Sequence, residues 1–192
     1  MVGVDLSAFT RDYGSADLWR SEMSPGEARK HRLVVRLLSR EKYRRAFQSS
    51  CSTGALTELL APRCERLVAC DSSTEAIEST CRRLLGQSNV ELHAATLPGW
   101  WPSGRFDLIV LSDFAPCGGE DQLASVVDDL IGVLEPGGDL LAAHWLRSPS
   151  EQWTGGAQVH RAVAERLGPP QLSRVSVGGF LIERWTANLS RH

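Results

Sequence analysis

Apolar and polar residues follow two periods along this chain, and together they predict alternating strands and helices. Short apolar runs predict strands, whereas apolar residues that recur every three or four positions predict helices. Predicted strands cover 44–50, 67–70, 90–94, 106–111, 139–145, 172–177 and 180–185. Predicted helices cover 25–39, 53–60, 74–85, 121–134 and 158–167. This order indicates an α/β fold with a largely parallel sheet.

Local signals support several of these boundaries. Ser24 precedes Pro25 and stands three residues before Glu27, a pattern that is typical of a helix start. The segment 136–138, Pro-Gly-Gly, is expected to end the helix over 121–134. Gly178 and Gly179 join the last two strands, which predicts an antiparallel hairpin. The sheet is therefore expected to be mixed, with its antiparallel pair at the carboxyl terminus.

Composition excludes several classes of protein. The 192 residues suit one domain, and a net charge of -2 argues against a nucleic-acid partner. No segment predicts a membrane span or a secretory signal, so a cytoplasmic protein without a membrane partner is expected. The five cysteines contain no Cys-x-x-Cys pair, so the sequence indicates neither a disulfide framework nor a metal site.

Candidate ligand contacts follow the first four predicted strands. In an open α/β sheet, ligands bind beyond the carboxyl ends of the strands, where the strand order reverses. The small-residue turn after the first strand allows close approach of a ligand to the backbone. Asp71 ends the second strand about 20 residues later, an offset typical of a carboxylate that binds a ribose diol. The expected cofactor contacts are Ser50, Cys51, Ser52, Gly54, Asp71, Ser72, Thr96, Leu97 and Ser112.

Each of these residues also has a simpler interpretation. Asp71 can act as a helix cap with Ser72 and Ser73, without any ligand. Cys51 is expected to pack rather than react, because nothing marks a base beside it.

Beyond these spacings, the chain resembles the nodulation protein S family over nearly its whole length. The resemblance rests on Leu18-Trp19, Ser24-Pro25-Gly26-Glu27, Lys30-His31, the segment 51–58, the segment 64–67, the strand 106–110 and the segment 134–138. That family comprises S-adenosylmethionine-dependent methyltransferases, and its namesake N-methylates a chitooligosaccharide. The resemblance implies a Rossmann-like class I methyltransferase fold with a seven-stranded mixed sheet. It also implies one domain, with residues 1–40 covering the cofactor site and residues 41–192 forming the core.

Three positions depart from what such methyltransferases usually carry. Gln48 and Ser50 stand where a Glu-x-Gly motif is common, so Gln48 is the expected contact to the methionine part of the cofactor. A neutral amide gives up the charge-assisted part of that contact. Ser50 adds a side chain where glycine would permit an unusual backbone angle. Leu97 stands where an acidic residue commonly contacts adenine.

The resemblance also places candidate acceptor residues. His144 is the expected general base because an unperturbed histidine titrates near neutrality, and a packed, hydrogen-bonded histidine is an equal alternative. Asp113 is expected to orient the acceptor or accept its proton, with helix capping as the alternative. His160 is expected to be a surface or supporting residue. Acceptor contacts are expected from Tyr13, Trp19, Phe114, Trp145 and Trp153. Trp100 and Trp101 could stack on a sugar, although anchoring their loop is the more common role.

The sequence therefore predicts an S-adenosylmethionine-dependent methyltransferase acting on an oxygen or nitrogen atom of a small polar acceptor. A sugar-containing or secondary-metabolite acceptor fits best, with natural product biosynthesis as the setting. The three departures motivate a second hypothesis, a catalytically degenerate binding or scaffold protein of the same fold. A Rossmann-type enzyme that uses another nucleotide is weaker, because the first loop lacks Gly-x-Gly-x-x-Gly. The acceptor and the oligomeric state stay open, with a homodimer among the options.

Overall fold

A computed structural model describes residues 24–114, 119–146, 155–175 and 179–187. Within these ranges the structure has five α-helices, one 3-10 helix (Ala61–Arg63) and seven strands. The helices are α1 (Pro25–Arg36), α2 (Ala55–Leu60), α3 (Thr74–Arg83), α4 (Gly119–Val133) and α5 (Gly156–Leu167). The strands are β1 (Tyr43–Ser49), β2 (Cys64–Asp71), β3 (Val90–Ala94), β4 (Phe106–Ser112), β5 (Leu134–Trp145), β6 (Leu172–Val175) and β7 (Phe180–Thr186).

All seven strands form one sheet in the order β3-β2-β1-β4-β5-β7-β6. The pairs from β3 through to β5 are parallel, whereas β7 pairs antiparallel with both β5 and β6. The predicted mixed sheet and carboxyl-terminal hairpin are thus confirmed. Because β1 lies between β2 and β4, the chain reverses direction across the sheet at β1.

Two apolar layers hold the helices on opposite faces of this sheet. One layer joins Ile109 and Leu140 to α4 and α5 through residues such as Leu130 and Val163. The other joins strand residues such as Val110 to α1 and α2. Every residue of β4 is buried, as expected for the central strand of a sheet that is covered on both faces.

The predicted start of α1 is confirmed. The Glu27 backbone N–H donates to Ser24 Oγ at 3.1 Å, so Ser24 caps the helix, and Pro25 is its first residue. The helix ends at Arg36, three residues earlier than the apolar pattern predicts.

Helix α4 ends at Val133, within one residue of the prediction, but the strand that follows begins earlier than the predicted Asp139. Strand β5 begins at Leu134, directly after α4, and includes Pro136, Gly137 and Gly138. The register between β4 and β5 shifts between Phe106 and Leu108, so these residues lie in an irregular part of the strand. Gly137 has a φ of 75°, a value that glycine adopts without strain. Turn residues therefore form a bulge here rather than a loop.

Within the described ranges, no helix combines the length and the apolar character needed to cross a membrane. The four cysteines in these ranges, Cys51, Cys64, Cys70 and Cys81, are free.

Candidate functional site

The candidate site lies where β1 and β4 run side by side and their connections leave in opposite directions. Parallel strands end at a common edge, and at such a switch point the connections on either side leave a crevice. The loop after β1, the end of β2 and the loop after β4 meet at this edge. After the roles expected from sequence, we call the side of β1 and β2 the cofactor edge and the side of β4 and β5 the acceptor edge.

Backbone strain concentrates at this crevice. Among the described residues, the non-glycine residues with positive φ are Ser50, Ser52 and Asp113, at 52°, 50° and 48°. Left-handed backbone costs about 1–2 kcal/mol for residues other than glycine. Two of the three residues follow β1 and the third follows β4, so the strain lies on both sides of the switch point. Strained residues of this kind concentrate at functional sites, where the surrounding structure holds them in place.

Asp71 fixes the loop after β1 through its carboxylate. Its two oxygens accept the backbone N–H of Ser52 at 2.8 Å and of Ser73 at 3.0 Å. Burial raises the pKa of Asp71, while the backbone N–H groups of Ser73, Ser52 and Ser72 act in the opposite direction. Asp71 does not cap α3, because the N-cap is Ser73, whose Oγ accepts the Ala76 backbone N–H at 3.1 Å. The Asp71 carboxylate keeps capacity for a further hydrogen bond, because an ionised carboxylate offers about four acceptor positions.

Helix α3 supports the same loop from behind. Thr80 Oγ1 donates to the Ser52 carbonyl at 2.8 Å, and Arg83 Nε donates to the Thr53 carbonyl at 2.8 Å. Gly54, with a φ of 79°, packs so closely that a Cβ there would lie 2.8 Å from Thr80 Cγ2 and 3.0 Å from Thr80 Cα. Only glycine combines this φ with this contact.

Two buried polar atoms lack partners at the end of β1. Gln48 and Ser49 are each 1% exposed. Gln48 Oε1 and Ser49 Oγ have no hydrogen-bond partner among the described residues. An unpaired buried polar atom costs about 1–3 kcal/mol. A ligand that donates hydrogen bonds at this edge would satisfy Gln48 Oε1, so the residues present fit the ammonium group of a cofactor.

The other predicted cofactor contacts differ in their accessibility. Ser72 and Thr96 are exposed, whereas Ser112 and Leu97 are buried. The Leu97 side chain packs in the apolar layer beneath α4 and α5. Cys51 is also buried, and burial raises the pKa of its thiol. This environment favours packing for Cys51, as the sequence suggested.

Asp113 joins the crevice to helix α1. Its carboxylate accepts a hydrogen bond from Lys30 Nζ, and its other oxygen accepts the Trp145 backbone N–H at 3.3 Å. The Lys30 side chain is fully buried, whereas the Asp113 side chain is 42% exposed. Lys30 is thus held entirely inside the protein, while the Asp113 carboxylate stays partly accessible to solvent.

Helix α1 completes this ion cluster. Glu27 Oε2 lies 3.0 Å from Lys30 Nζ and 3.4 Å from His31 Nε2, and Glu27 Oε1 accepts the Trp145 indole N–H. Lys30 Nζ lies 5.4 Å from the centre of the Trp145 ring. Burial and the neighbouring Lys30 lower the pKa of His31 to about 4. We refer to Glu27, Lys30, His31, Asp113 and Trp145 as the α1 ion cluster.

Sequence reasoning missed Lys30 and Glu27 as site residues. The sequence marks Glu27 as part of a helix start and of the family resemblance, and Lys30-His31 as part of that resemblance alone. The available signal was the spacing of Glu27, Lys30 and His31, which places the three side chains on one face of a helix.

His144 lies beneath the acceptor edge, and both of its ring nitrogens have partners. Nε2 lies 3.1 Å from the Phe114 carbonyl oxygen, and Nδ1 lies 3.1 Å from His160 Nε2. Complete burial lowers the pKa of His144 to about 3, and the neighbouring His160 acts in the same direction. Of the two interpretations weighed from sequence, this geometry favours the packed, hydrogen-bonded histidine. His160 is also buried, so it is not a surface residue.

The remaining predicted acceptor residues divide into two groups. Phe114 is 4% exposed and packs in the apolar layer, and Trp145 packs edge-on against Phe180 at 5.3 Å between ring centres. Tyr13, Trp19 and Trp153 lie outside the described residues.

A cavity of about 230 Å³ lies away from this crevice, over β1, β2 and β3. Arg45, His93, Trp100 and Trp101 contribute to its lining. The Trp100 ring lies 4.4 Å from the His93 ring, and both tryptophans pack against the apolar layer. This placement favours the anchoring role for Trp100 and Trp101. We locate the candidate site at the crevice, where strain, orphaned polar atoms and buried ions coincide.

Comparison with known proteins gives a family match. Residues 5–167 match the model of the family described as "Nodulation protein S (NodS)". Nodulation protein S from Rhizobium tropici is 29% identical over 162 residues, which cover 82% of this chain and 68% of that protein.

Solved structures of similar proteins share the fold. A putative methyltransferase from Pseudomonas syringae is 37% identical, with a TM-score of 0.72 over 83% of this chain and 97% of that chain. The N-methyltransferase NodS from Bradyrhizobium japonicum WM9 is 26% identical, with a TM-score of 0.77 over 86% of this chain and 98% of that chain. The same protein in complex with S-adenosyl-L-homocysteine gives 24% identity and a TM-score of 0.79, over 94% of this chain and 97% of that chain.

Proposed function

The chain belongs to the nodulation protein S family, and from that premise we propose that it is an S-adenosylmethionine-dependent methyltransferase. We further propose that the methyl group goes to an oxygen or nitrogen atom of a small polar acceptor, either sugar-containing or a secondary metabolite. The relatives support the class of enzyme, since two of the similar structures are described as methyltransferases. The identity of the acceptor and the atom that is methylated rest on this proposal alone.

The observation that carries the proposal is the crevice itself. Strained backbone at Ser50, Ser52 and Asp113 lies on both sides of the switch point. Asp71 holds the first of these loops by two backbone hydrogen bonds. A loop that is held in an unfavourable conformation is pre-organised, so a ligand does not have to supply the free energy of ordering it.

Residues on the cofactor edge would hold the donor. Asp71 offers acceptor positions for the ribose hydroxyls, and Gln48 Oε1 offers an unpaired acceptor for the ammonium group. Further contacts are proposed for Ser50, Cys51, Ser52, Gly54, Ser72, Thr96, Leu97 and Ser112. The bound cofactor supplies a methyl group on a positively charged sulfur, which is reactive without any covalent link to the protein.

Residues on the acceptor edge would orient the acceptor. Methyl transfer is a direct displacement, so the protein must align the two reactants and exclude water. The Asp113 carboxylate is partly exposed and belongs to a buried ion cluster. We assign it the role of binding the O–H or N–H of the acceptor and receiving its proton. We assign His144 a positioning role, because neither ring nitrogen is free to act as a base.

The cover over this site is proposed from residues 1–40. Helix α1 already contacts the acceptor edge through Lys30 and Trp145. Tyr13, Trp19, Phe114, Trp145 and Trp153 are proposed as acceptor contacts.

Ligand-dependent stability tests the cofactor assignment. S-adenosyl-L-homocysteine at about 100 times its Kd should add about 2.7 kcal/mol to the free energy of unfolding, seen as a higher Tm. Asp71→Ala should abolish this increase, measured against the Tm of the variant alone. Glu75→Ala is the matched control, because Glu75 is a fully exposed acidic residue in the first turn of α3. It should keep the increase.

Two other outcomes have clear meanings. If calorimetry detects no binding of either S-adenosylmethionine or S-adenosyl-L-homocysteine to the wild-type protein, the proposed activity is wrong. If, in addition, the protein forms a stable complex with another protein, the degenerate binding or scaffold function replaces it. The neutral Gln48 in place of an acidic residue is the observation that favours this second function.

A further inference from the structure

A buried chain of hydrogen bonds runs from the acceptor edge to the antiparallel end of the sheet. The Phe114 carbonyl oxygen lies 3.1 Å from His144 Nε2, and His144 Nδ1 lies 3.1 Å from His160 Nε2. His160 Nδ1 lies 2.8 Å from Glu183 Oε2, and Ser173 Oγ donates to Glu183 Oε1 at 2.8 Å. His144 is 2% exposed and His160 is 3% exposed, so water cannot easily replace any of the links between the rings.

The order of donors and acceptors in this chain fixes where the protons lie. A carbonyl oxygen can only accept, so His144 Nε2 must carry a proton. A neutral His144 then has an unprotonated Nδ1, which needs a donor, and His160 Nε2 must supply it. One further proton must lie between His160 Nδ1 and Glu183, because a bare nitrogen facing a carboxylate would be repulsive.

The net charge of the His160–Glu183 pair is zero whichever of the two residues holds that last proton. A doubly protonated His160 beside an ionised Glu183 and a neutral His160 beside a protonated Glu183 contain the same number of protons. Taking that proton away would leave two lone pairs facing each other at one of the three links, from Phe114 to Glu183. The proton near Glu183 therefore helps to keep the His144 N–H directed at Phe114.

Three consecutive residues of β5 clamp the turn after β4. The Asp113 backbone N–H donates to the Ala143 carbonyl at 3.0 Å. His144 Nε2 bonds the Phe114 carbonyl, and the Trp145 backbone N–H bonds the Asp113 carboxylate. This turn includes the strained φ of Asp113, 48°, so it requires such restraint.

A glycine lets the helix that carries His160 approach β5. A Cβ at Gly156 would overlap His144 Cβ and would lie 2.8 Å from the Trp145 carbonyl oxygen. The close approach of α5 to the end of β5 places His160 against His144, with the two ring planes at 82°.

We propose that His160 and Glu183 are positioning residues that hold His144 as the neutral, Nε2-protonated form and thereby fix Asp113 and Phe114 at the acceptor edge. They act through His144 and need not contact any substrate. The assignment of this turn to acceptor binding rests on the proposed function, whereas the hydrogen-bond chain does not.

Nuclear magnetic resonance of the ¹⁵N-labelled protein without ligand tests the chain directly. His144 should show one protonated nitrogen, Nε2, and one bare nitrogen, Nδ1, at neutral pH. In Glu183→Gln the new amide can donate to His160 Nδ1, so that nitrogen should carry no proton while His144 keeps its form. A wild-type His144 protonated on Nδ1, or on both nitrogens, would overturn the proposal.

Amide hydrogen exchange tests the clamp. His160→Leu leaves the buried His144 Nδ1 without a donor, a loss that corresponds to about tenfold faster exchange of the Asp113 N–H. His160→Gln restores a donor and should return exchange close to the wild-type rate. Ser173→Ala removes only the far end of the chain and should change little. The Cys51 N–H, which bonds the Cys70 carbonyl at the cofactor edge, is the internal reference.

The outcomes are separable. If His160→Leu leaves Asp113 exchange unchanged, or accelerates Cys51 to the same extent, then His160 has no positioning role. If His160→Leu does not fold, the ring proton pattern of Glu183→Gln decides the matter. Because neither measurement uses the cofactor, a failure to bind S-adenosyl-L-homocysteine would reject the proposed function and leave this inference standing.

Discussion

The two edges of the crevice are built in different ways. The cofactor edge is held by hydrogen bonds between side chains and the backbone of the first loop. Asp71 accepts the Ser52 N–H, 19 residues away in sequence, and Thr80 donates to the Ser52 carbonyl, 28 residues away. The acceptor edge is held by buried charged side chains, with Lys30 bonding Asp113 across 83 residues and Trp145 bonding Glu27 across 118. At the cofactor edge, side chains bond backbone atoms over short sequence separations, whereas at the acceptor edge side chains bond one another over long separations.

This difference indicates how each edge responds to change. A backbone-supported loop tolerates many side chains but depends strongly on glycine and on φ. A buried ion cluster depends on each of its members, because removal of one leaves the others without a partner in a poorly solvated place. We expect the acceptor edge to be the more sensitive of the two to single substitutions of charged residues.

Lys30→Met should produce the largest effect. It removes the buried ammonium group that lies between Glu27 and Asp113 and leaves both carboxylates uncompensated. Breaking a buried pair in this way costs about 3–5 kcal/mol, and the partial exposure of Asp113 reduces the expected loss to about 2–4 kcal/mol. Urea unfolding of the wild-type protein and the variant measures this loss of stability.

Arg29→Met is the matched control for Lys30→Met. Arg29 is the adjacent residue of α1 and is exposed, so its loss should change the free energy of unfolding by less than about 0.5 kcal/mol. Equal effects of the two substitutions would show that the ion cluster does not hold α1 in place.

The two edges should also respond to pH with opposite sign. Burial lowers the pKa of His31 to about 4 and of His144 to about 3, against about 6.5 for an unperturbed histidine. As pH falls from about 6.5 towards 4, these histidines bind protons in the unfolded chain but stay neutral in the folded protein. The free energy of unfolding therefore falls by roughly 1.4 kcal/mol per pH unit for each histidine. Burial raises the pKa of Asp71, so the folded protein binds this proton first, and stability rises as pH falls from the folded-state pKa to the unfolded value near 3.8.

Unfolding experiments between pH 7 and pH 4 can separate these contributions. His31→Gln should flatten the pH dependence, and Asp71→Asn should steepen it over the range in which Asp71 titrates, because the opposing contribution is lost. A wild-type stability that does not change over this range would contradict the buried neutral histidines.

Gly54→Ala tests the cofactor edge, with Gly86→Ala as its control. The difference in free energy of unfolding between these two variants should be the smallest of the effects predicted here. Both Gly54 and Gly86 have positive φ, 79° and 90°, so alanine is strained at either position. Only Gly54 also meets Thr80, whereas a Cβ at Gly86 has nothing within 4 Å among the described residues. Gly54→Ala should therefore destabilise by about 1–2 kcal/mol more than Gly86→Ala.

Thermal or urea unfolding of the two glycine variants measures this difference. If the variants were equally stable, the support of the first loop by α3 would be unimportant. S-adenosyl-L-homocysteine binding should weaken in Gly54→Ala alone, because Gly86 is outside the crevice.

The sequence predicted the cofactor edge well for physical reasons. Small residues after an apolar run and a carboxylate at the next strand end are features of local sequence, and each strand end places its own residues at the common edge of the sheet. Ser50 has a φ of 52°, the kind of unusual backbone angle that a glycine at this position would permit.

The acceptor edge could be predicted only in part. Asp113, His144 and Trp145 were expected near the acceptor because they follow β4 and end β5, but their partners could not be identified. Nothing in the spacing of Lys30 and Asp113 indicates that they touch, since α1 precedes the first strand and can pack in several places. The pairing of His144 with His160 likewise depends on how closely α5 approaches β5 at Gly156.

Taken alone, the amino-acid sequence determined the order of the elements, the mixed sheet, the family and the residues at each strand end, because periodicity, turn chemistry and short motifs are local properties. Tertiary structure alone decided that Lys30 is buried against Asp113, that the ring nitrogens of His144 are both occupied, and that residues 136–138 form a bulge. Those features arise from contacts between distant segments, and burial determines whether a charge or a ring nitrogen has any partner other than water.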